Sequence, residues 1–224
     1  MHLKYAYIFG CFILLVFWLT IFFIRKDLRK EIIWASLVGL PFGFIDYFLI
    51  PGYWHPEVVF DLGIKHGFGI ESFLFFSLMA GIASVIYEFV EKKRLIKIKG
   101  DTRHHFLILI FLVTLFIILE IIFQDQSIYN LIVSLFSGGV ILVFVRRDLL
   151  KHMIISGFIF TIFYFIVFII IKEIFLDIVP SFYDLSSIWN IPFVNVPAQE
   201  LFASFTGGML WSVLYAYTNA FRED

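Results

Sequence analysis

The 224-residue sequence is 61% hydrophobic and only 16% charged, with a formal net charge of −1. Soluble domains are about 45–50% apolar, so this composition excludes an ordinary soluble domain and indicates a membrane protein. The balanced charge gives no reason to expect nucleic acid as a partner, and a single cysteine, Cys11, excludes a disulfide framework within the chain.

Seven apolar stretches are long enough to cross a bilayer. A hydrocarbon core of roughly 30 Å takes about 20 largely apolar residues per helix. An isolated strand would leave its backbone groups unpaired in lipid, so helices are expected. The seven stretches are residues 5–24, 32–50, 70–90, 106–123, 128–145, 153–171 and 198–221. The sequence therefore predicts an all-α membrane protein with seven transmembrane helices.

Basic residues are distributed unequally between the two sides of these helices. Counted by alternate sides, one side has 14 Lys and Arg: 4 in residues 25–30, 6 in 92–103, 3 in 146–151 and 1 at Arg222. The other side has 3, at Lys4, Lys65 and Lys172. Because Lys and Arg are enriched in cytoplasmic loops, we expect the N-terminus outside and the C-terminus in the cytoplasm.

Two parts of the chain resemble each other. The sequence "IRKDLRKEII" at residues 24–33 recurs as "VRRDLLKHMI" at 145–154, an offset of 145 − 24 = 121 residues. Likewise "SVIY" at 84–87 recurs as "SVLY" at 212–215. Such long-period similarity predicts an internal duplication, and both copies should cross the membrane in the same direction. The expected 3+1+3 arrangement has a first three-helix repeat at 1–95, a connector helix at 96–125 and a second three-helix repeat at 126–224.

Five carboxyl side chains fall within the apolar stretches, at Asp46, Glu71, Glu88, Glu120 and Glu200. A carboxylate is costly in hydrocarbon, so each is a candidate functional residue. Glu88 lies beside a basic segment, which favours a solvated or ion-paired role. Asp46, Glu71 and Glu200 fall toward the outer ends of their helices and form the candidate site.

Aligning the two copies on their common "SV" segment places Gln199 opposite Glu71 and Glu200 opposite Ser72. Each half therefore keeps one carboxyl. Two carboxyls in a dry pocket cannot easily both ionise, which would leave an acid for proton donation. The alternative is that Glu71 and Glu200 only stabilise the N-termini of their helices through the macrodipole.

These helix starts resemble a known family. The sequences "GIESFLFF" at residues 69–76 and "VPAQELF" at 196–202 are similar to the Pro-x-Glu-Glu helix starts of the integral-membrane lycopene cyclases, which are built from duplicated three-helix domains. Gly69, Ser72 and Gln199 replace members of that motif. The resemblance implies a prokaryotic inner-membrane isomerase, an intramolecular lyase that starts polyene cyclisation by protonation and uses no metal or other cofactor.

The catalytic candidates are thus Glu71 and Glu200 as donor and carboxylate partner, Gln199 as an orienting group and Asp46 as a further polar residue. Aromatic faces can stabilise a carbocation, so the substrate-binding candidates are Trp54, Trp189, Phe75 and Trp211. For Trp54 and Trp189, in the two long outer loops, an interfacial aromatic belt remains the alternative to a lid over the site.

The leading hypothesis is cyclisation of a carotenoid or related isoprenoid, with the lipid-soluble substrate and membrane lipid as partners. A small-solute transporter of 3+1+3 architecture is the main alternative, since such repeats also occur in carriers. A non-catalytic membrane subunit is the third, and association with a second membrane subunit or another copy of the chain also stays open.

Overall fold

The computed structural model describes residues 2–50, 52–92, 95–97, 107–184, 190–191, 194–219 and 221–223. Within them are nine α-helices: α1 Ala6–Ile24, α2 Arg29–Gly39, α3 Asp46–Leu49, α4 Ile70–Glu91, α5 Leu107–Ile122, α6 Ser127–Val145, α7 Leu150–Ile174, α8 Ile178–Phe182 and α9 Ala198–Thr218. Short 3₁₀ segments occupy Leu3–Tyr5, Lys26–Leu28, Leu40–Ile45 and Arg147–Leu149. The described strands form two antiparallel pairs: β1 Leu95–Lys97 with β4 Phe221–Glu223, and β2 Asn190–Ile191 with β3 Val196–Pro197.

The prediction of an all-α membrane protein is confirmed, because the structure is 81% helical and apolar. Among the described residues, five helical stretches are long and apolar enough to cross a membrane: Leu3–Ile24, Lys26–Leu49, Ile70–Glu91, Ser127–Val145 and Arg147–Ile174. Helix α5, in the predicted connector, is a shorter apolar helix of 16 residues. The last helix, α9, has 21 residues but is not among the five.

The second apolar stretch is not one straight α-helix as predicted. Helix α2 ends at Gly39, the 3₁₀ segment Leu40–Ile45 follows, and α3 begins at Asp46. Pro41, at the start of the 3₁₀ segment, has no backbone N–H to continue the α-helical hydrogen bonds, and the chain tightens into the 3₁₀ form. This break gives Asp46 the first position of a new helical segment.

The similar sequences after α1 and α6 form the same local structure. Arg25 donates from Nε and Nη2 to the two oxygens of Asp27, at 3.0 and 2.8 Å. Arg146 donates in the same way to Asp148, at 2.9 and 2.7 Å. In each case the pair leads through a short 3₁₀ turn into the next helix.

Small residues allow two helix pairs to approach closely. A Cβ built on Gly39 in α2 would lie 2.4 Å from Cβ of Ala80 in α4. A Cβ on Gly208 in α9 would lie 2.7 Å from Cβ of Phe160 in α7. Small residues at such contacts let membrane helices pack backbone to backbone.

The two carboxyls outside the candidate site have structural partners. In Glu120 of α5, Oε1 accepts a 2.7 Å hydrogen bond from Asn130, and Oε2 lies 2.8 Å from Oγ of Ser127. These contacts join α5 to α6. Glu88 is fully buried, with Oε1 3.5 Å from Nε2 of His152 in α7. A solvated Glu88 is therefore wrong, because α7 covers it. Its neighbour is His152 of α7 rather than the basic segment that follows α4.

Candidate functional site

An interior cavity of about 170 Å³ lies between helices α1, α4, α6, α7 and α9. By comparison, one water needs roughly 10–15 Å³ of such space. Most of the lining is aliphatic or aromatic, including Leu14, Met79, Leu135 and Phe168. The cavity is therefore a mainly apolar space to which both halves of the chain contribute.

Two carboxyl side chains, those of Asp46 and Glu200, line this cavity. Asp46 comes from the break in the second apolar stretch, and Glu200 comes from the first turn of α9. The structure thus brings together two of the four catalytic candidates, one from each half of the chain.

Three tyrosines hold the carboxyl group of Glu200. Tyr53 and Tyr183 donate hydrogen bonds to Oε1, at 3.0 and 3.1 Å, and Tyr164 donates to Oε2 at 2.5 Å. Tyr53 follows α3, Tyr164 lies in α7 and Tyr183 follows α8. We call Tyr53, Tyr164 and Tyr183 the tyrosine cage. Because its members come from separate elements, the cage fixes the Glu200 side chain relative to both halves of the chain.

The phenols of the cage are neutral donors. Burial raises the pKa of Tyr53 and of Tyr183, and the negative charge of Glu200 raises both further. Each phenol therefore keeps its proton at physiological pH. Hydrogen bonds from such donors favour the ionised form of the Glu200 carboxyl group, whereas burial opposes it.

Asp46 has a different set of partners, in which the side chains of Ser72 and Trp54 lie beside the carboxyl group together with Tyr7. Its side chain is 1% exposed, and Tyr7 of α1 donates a 2.9 Å hydrogen bond to Oδ2. The Tyr7 ring packs edge-on against Trp54, with ring centroids 4.9 Å apart, and Trp54 lines the same cavity. One donating phenol on Asp46 against three on Glu200 makes the two carboxyls chemically unequal.

The loops after α3 and α8 meet at the cavity. Trp54 and Tyr183 form an isolated antiparallel bridge, and the backbone N–H of His55 donates to the carbonyl of Phe182 at 2.5 Å. Trp54, Phe182 and Tyr183 all line the cavity. The two loops therefore carry part of its wall.

Glu71, the other expected member of the acid pair, is not among the residues that line the described cavity. Its Oε1 accepts hydrogen bonds from the backbone N–H groups of Val59 and Phe60, at 2.7 and 3.2 Å. The side chain is fully buried in the first turn of α4. The structure therefore does not bring Glu71 and Glu200 together, because the loop before α4 folds back over Glu71.

The other candidate residues are divided between the cavity lining and positions outside it. Gln199 is buried and donates from Nε2 to the hydroxyl of Tyr129 at 2.9 Å, away from the cavity lining. Phe75 and Trp211 line the cavity together with Trp54. Trp189 lies outside the described residues. Across the part of the chain that the structure describes, no group of three or more His, Cys, Asp or Glu could hold a metal ion.

The residues missed from the sequence are Tyr7 and the tyrosine cage. Tyr183 lies in "FYDL" at residues 182–185, the counterpart of "VFDL" at 59–62, and Tyr53 lies in the other long outer loop. That similarity draws attention to Tyr183, but its counterpart is Phe60, so it does not identify Tyr53. For Tyr7 and Tyr164, each within an aromatic-rich helix, we find no such signal.

Apolar helices with an interior cavity, two unequal carboxyls and tyrosine donors define an all-α membrane protein with a site suited to an apolar ligand. Residues 126–218 match the family model described as lycopene cyclase, which supports a lycopene cyclase domain in this part of the chain. No curated protein and no solved structure matches the chain.

Proposed function

We propose that this protein closes a ring at one end of a carotenoid or related isoprenoid, in a redox-neutral reaction started by a proton. The observation that carries the proposal is the placement of Asp46 and Glu200 in one mainly apolar cavity. The lycopene cyclase domain at residues 126–218 supports the same substrate class.

Asp46 is the proposed proton donor, because it accepts a hydrogen bond from one phenol whereas Glu200 accepts three. The proton adds to one carbon of a terminal double bond. A neighbouring double bond then supplies the electron pair for the new C–C bond. The cyclised cation then loses a proton from carbon to the Asp46 carboxylate, which restores a neutral alkene and the acid, so the product is an isomer of the substrate.

Glu200 and the aromatic walls have the complementary role. Held by the tyrosine cage, the Glu200 carboxylate lies where it stabilises the positive charge that follows protonation. Phe75 and Trp211 add aromatic faces to the same space, and these favour a cation in an apolar site. An apolar cavity also keeps water from capturing the carbocation.

The size of the cavity indicates how the substrate binds. Pockets that bury a whole drug-sized ligand have about 300–1,000 Å³, whereas this cavity has about 170 Å³. The cavity therefore suits one end of a long isoprenoid, and the rest of the isoprenoid lies between the helices or in lipid.

The proposal includes the seven-helix 3+1+3 arrangement in the inner membrane, with the cavity toward the outer leaflet. Its support is that α9 packs against α4, α6 and α7, which are candidate spans, and that α5 packs against α6. The matched Arg–Asp turns before α2 and α7 support the duplication.

The distribution of polar groups favours an enzyme over a carrier. Along α9, Glu200 lines the cavity near the helix start, whereas Ala203, Ser204, Gly207 and Trp211 line it further on, and the Ser204 hydroxyl donates to the carbonyl of Leu201. A carrier for a polar solute needs polar partners along its whole path. The gathering of polar groups near the outer ends of the helices therefore supports a pocket fed from the lipid.

The experiment is to supply membranes that contain the protein with lycopene and other linear polyenes. We expect ring-containing isomers of unchanged mass, identified by chromatography and NMR, and no such product with Asp46→Asn or Glu200→Gln. Folding of each variant is checked by its elution from a sizing column in detergent. If the folded wild-type protein forms no isomer while its vesicles accumulate a polar solute, the carrier interpretation replaces this one.

A further inference from the structure

The loop between α3 and α4 folds into a hairpin just before α4 begins. The backbone N–H of Ile70 donates to the carbonyl of Phe60 at 3.1 Å, and the N–H of Leu62 donates to the carbonyl of Phe68 at 3.0 Å. These two hydrogen bonds hold the arms of the hairpin together. We call residues 60–70 the loop hairpin.

The loop hairpin exposes large apolar side chains. Phe60 is 52% exposed, Leu62 is 41% exposed and Ile64 is 57% exposed. Single apolar residues on a surface are ordinary, but a group of them on one short segment marks a contact with a partner or a membrane. The hairpin therefore has an apolar surface that something other than water should cover.

Lys65 fastens the loop hairpin to the end of α3. Its Nζ donates to the carbonyl of Tyr47 at 2.5 Å and to the carbonyl of Ile50 at 2.6 Å. Tyr47 belongs to the candidate membrane span Lys26–Leu49. The hairpin thus lies against the end of a span instead of extending freely from the bundle.

Phe68 packs the loop hairpin onto the side of the same span. Its ring is fully buried and contacts the rings of Phe44, Tyr47 and Phe73, with centroids 5.8–6.4 Å away. Phe44 and Tyr47 are themselves exposed on the candidate span. Exposed aromatic side chains on a membrane span face lipid, because apolar surface is driven out of water. The apolar surface of the hairpin is therefore continuous with a lipid-facing surface.

We infer that the loop hairpin dips into the bilayer, and that its partner is the acyl region of the lipid beside α3. Both charged groups near its tip have partners within the protein, since Asp61 accepts from the N–H of Gly63 at 2.8 Å and Lys65 donates to the end of α3. Neither charge has to enter hydrocarbon unpaired, which would be costly.

This lipid contact has a consequence for the cavity wall. The loop that carries the hairpin begins with Tyr53 and Trp54, which line the cavity, and its Val59 and Phe60 hold Glu71. A hairpin anchored in lipid attaches that wall to the membrane. The inference does not depend on the proposed reaction, because it rests on the exposed surface of the hairpin and its attachment to α3.

The test places a bimane fluorophore on the loop hairpin of the full chain in lipid vesicles. Cys11, the one native cysteine, is replaced in a Cys11→Ala background, and Ile64→Cys supplies the labelling site. An interfacial segment lies about 5–10 Å into the boundary between headgroups and acyl chains. We therefore expect lipids brominated near the start of their acyl chains to quench most of the fluorescence, whereas aqueous iodide quenches little of it.

Glu57→Cys in the same background is the matched control. Glu57 lies in the same loop before the hairpin and is exposed, so a label there should be quenched by iodide and not by brominated lipid. Leu62→Cys gives a second hairpin position, and elution from a sizing column checks the folding of each variant.

Two results would overturn the inference. Quenching of the hairpin labels by iodide as strongly as the Glu57→Cys label would place the hairpin in water. Protection of the hairpin labels from both quenchers would mean that protein, such as a second copy of the chain, covers the hairpin instead of lipid.

Discussion

Tyr164 of α7 donates a 2.5 Å hydrogen bond to Oε2 of Glu200 in α9. It is the shortest contact of the tyrosine cage, and it joins two helices that pack tightly through Gly208. Short hydrogen bonds to a carboxylate are about twice as strong as neutral ones. The Glu200 side chain, which would stabilise a carbocation, is therefore held in place by a helix that packs against its own.

Removing this hydrogen bond should reduce the proposed activity more than the substrate affinity. We expect Tyr164→Phe to lower kcat about 10- to 100-fold, since a hydrogen bond to a charged group contributes roughly 1.5–3 kcal/mol. KM should change little, because the phenyl ring still fills the same space. The measurement is the rate of ring formation at several substrate concentrations.

Tyr217→Phe is the matched control for that variant. Tyr217 lies in α9 like Glu200 but does not line the described cavity. Its kcat should stay within about twofold of wild type, a difference near 0.4 kcal/mol. Equal losses in the two variants would mean that Tyr164 has no particular role in holding Glu200.

Asp46 and Glu71 should respond differently to loss of their carboxyl groups. Asp46→Asn removes the proposed acid from the cavity, and ring formation should fall at least 100-fold, the order expected for loss of general acid catalysis. Glu71→Gln keeps an oxygen that can accept from the N–H groups of Val59 and Phe60, so it should retain activity.

Glu71→Ala separates the structural role from a chemical one. It leaves two backbone donors without their acceptor, which should lower the free energy of unfolding by about 1–3 kcal/mol. Unfolding in mixed detergent, followed by circular dichroism, measures this change. A folded Glu71→Gln protein without activity would instead make Glu71 part of the chemistry.

Most of the helices could be predicted because the bilayer permits few backbone structures. The predicted stretch 128–145 corresponds to α6 Ser127–Val145, and 70–90 corresponds to α4 Ile70–Glu91. Each is a long apolar run whose backbone groups must pair with one another. The sequence predicts one helix over 32–50, but the structure has a 3₁₀ segment from Leu40. The reason is that Pro41 has no backbone N–H to continue the α-helical hydrogen bonds.

The candidate site could be predicted only in part. Asp46 and Glu200 were found because a carboxyl group inside an apolar run is costly and therefore uncommon. Glu71 satisfies the same rule and occupies a similar first turn, but the loop that covers it is set by tertiary contacts. The tyrosine cage unites residues that are distant in a sequence with 10 Tyr, so only the folded chain distinguishes its members.

High pH should destabilise the protein through the cage. Burial raises the pKa of Tyr53 and Tyr183 above the ordinary value of 10.0. Above about pH 10 the unfolded chain loses these protons while the folded chain keeps them, so the unfolded state binds fewer protons and stability falls as pH rises. Each phenol should contribute up to about 1.4 kcal/mol per pH unit.

The measurement is the free energy of unfolding between pH 9 and pH 11, a window of roughly one unit either side of the ordinary tyrosine pKa. The double variant Tyr53→Phe with Tyr183→Phe should show a smaller slope, whatever its stability at neutral pH. Tyr5→Phe is the control, since Tyr5 is 47% exposed. A double variant with the wild-type slope would contradict the assignment of this pH dependence to Tyr53 and Tyr183.

Two adjacent glycines in α9 should respond oppositely to alanine. A Cβ at Gly208 would lie 2.7 Å from Cβ of Phe160 and 3.2 Å from Cα of Gly157, neither of which can move without shifting α7. Gly208→Ala should therefore cost about 1–3 kcal/mol of unfolding free energy. At Gly207 nothing lies within 4 Å of the added Cβ, so Gly207→Ala should stabilise the helix by roughly 0.5–1 kcal/mol. Gly207 also lines the cavity, so a methyl group there should raise the KM for ring formation without loss of folding. Equal destabilisation of both variants would argue against tight α7–α9 packing at Gly208.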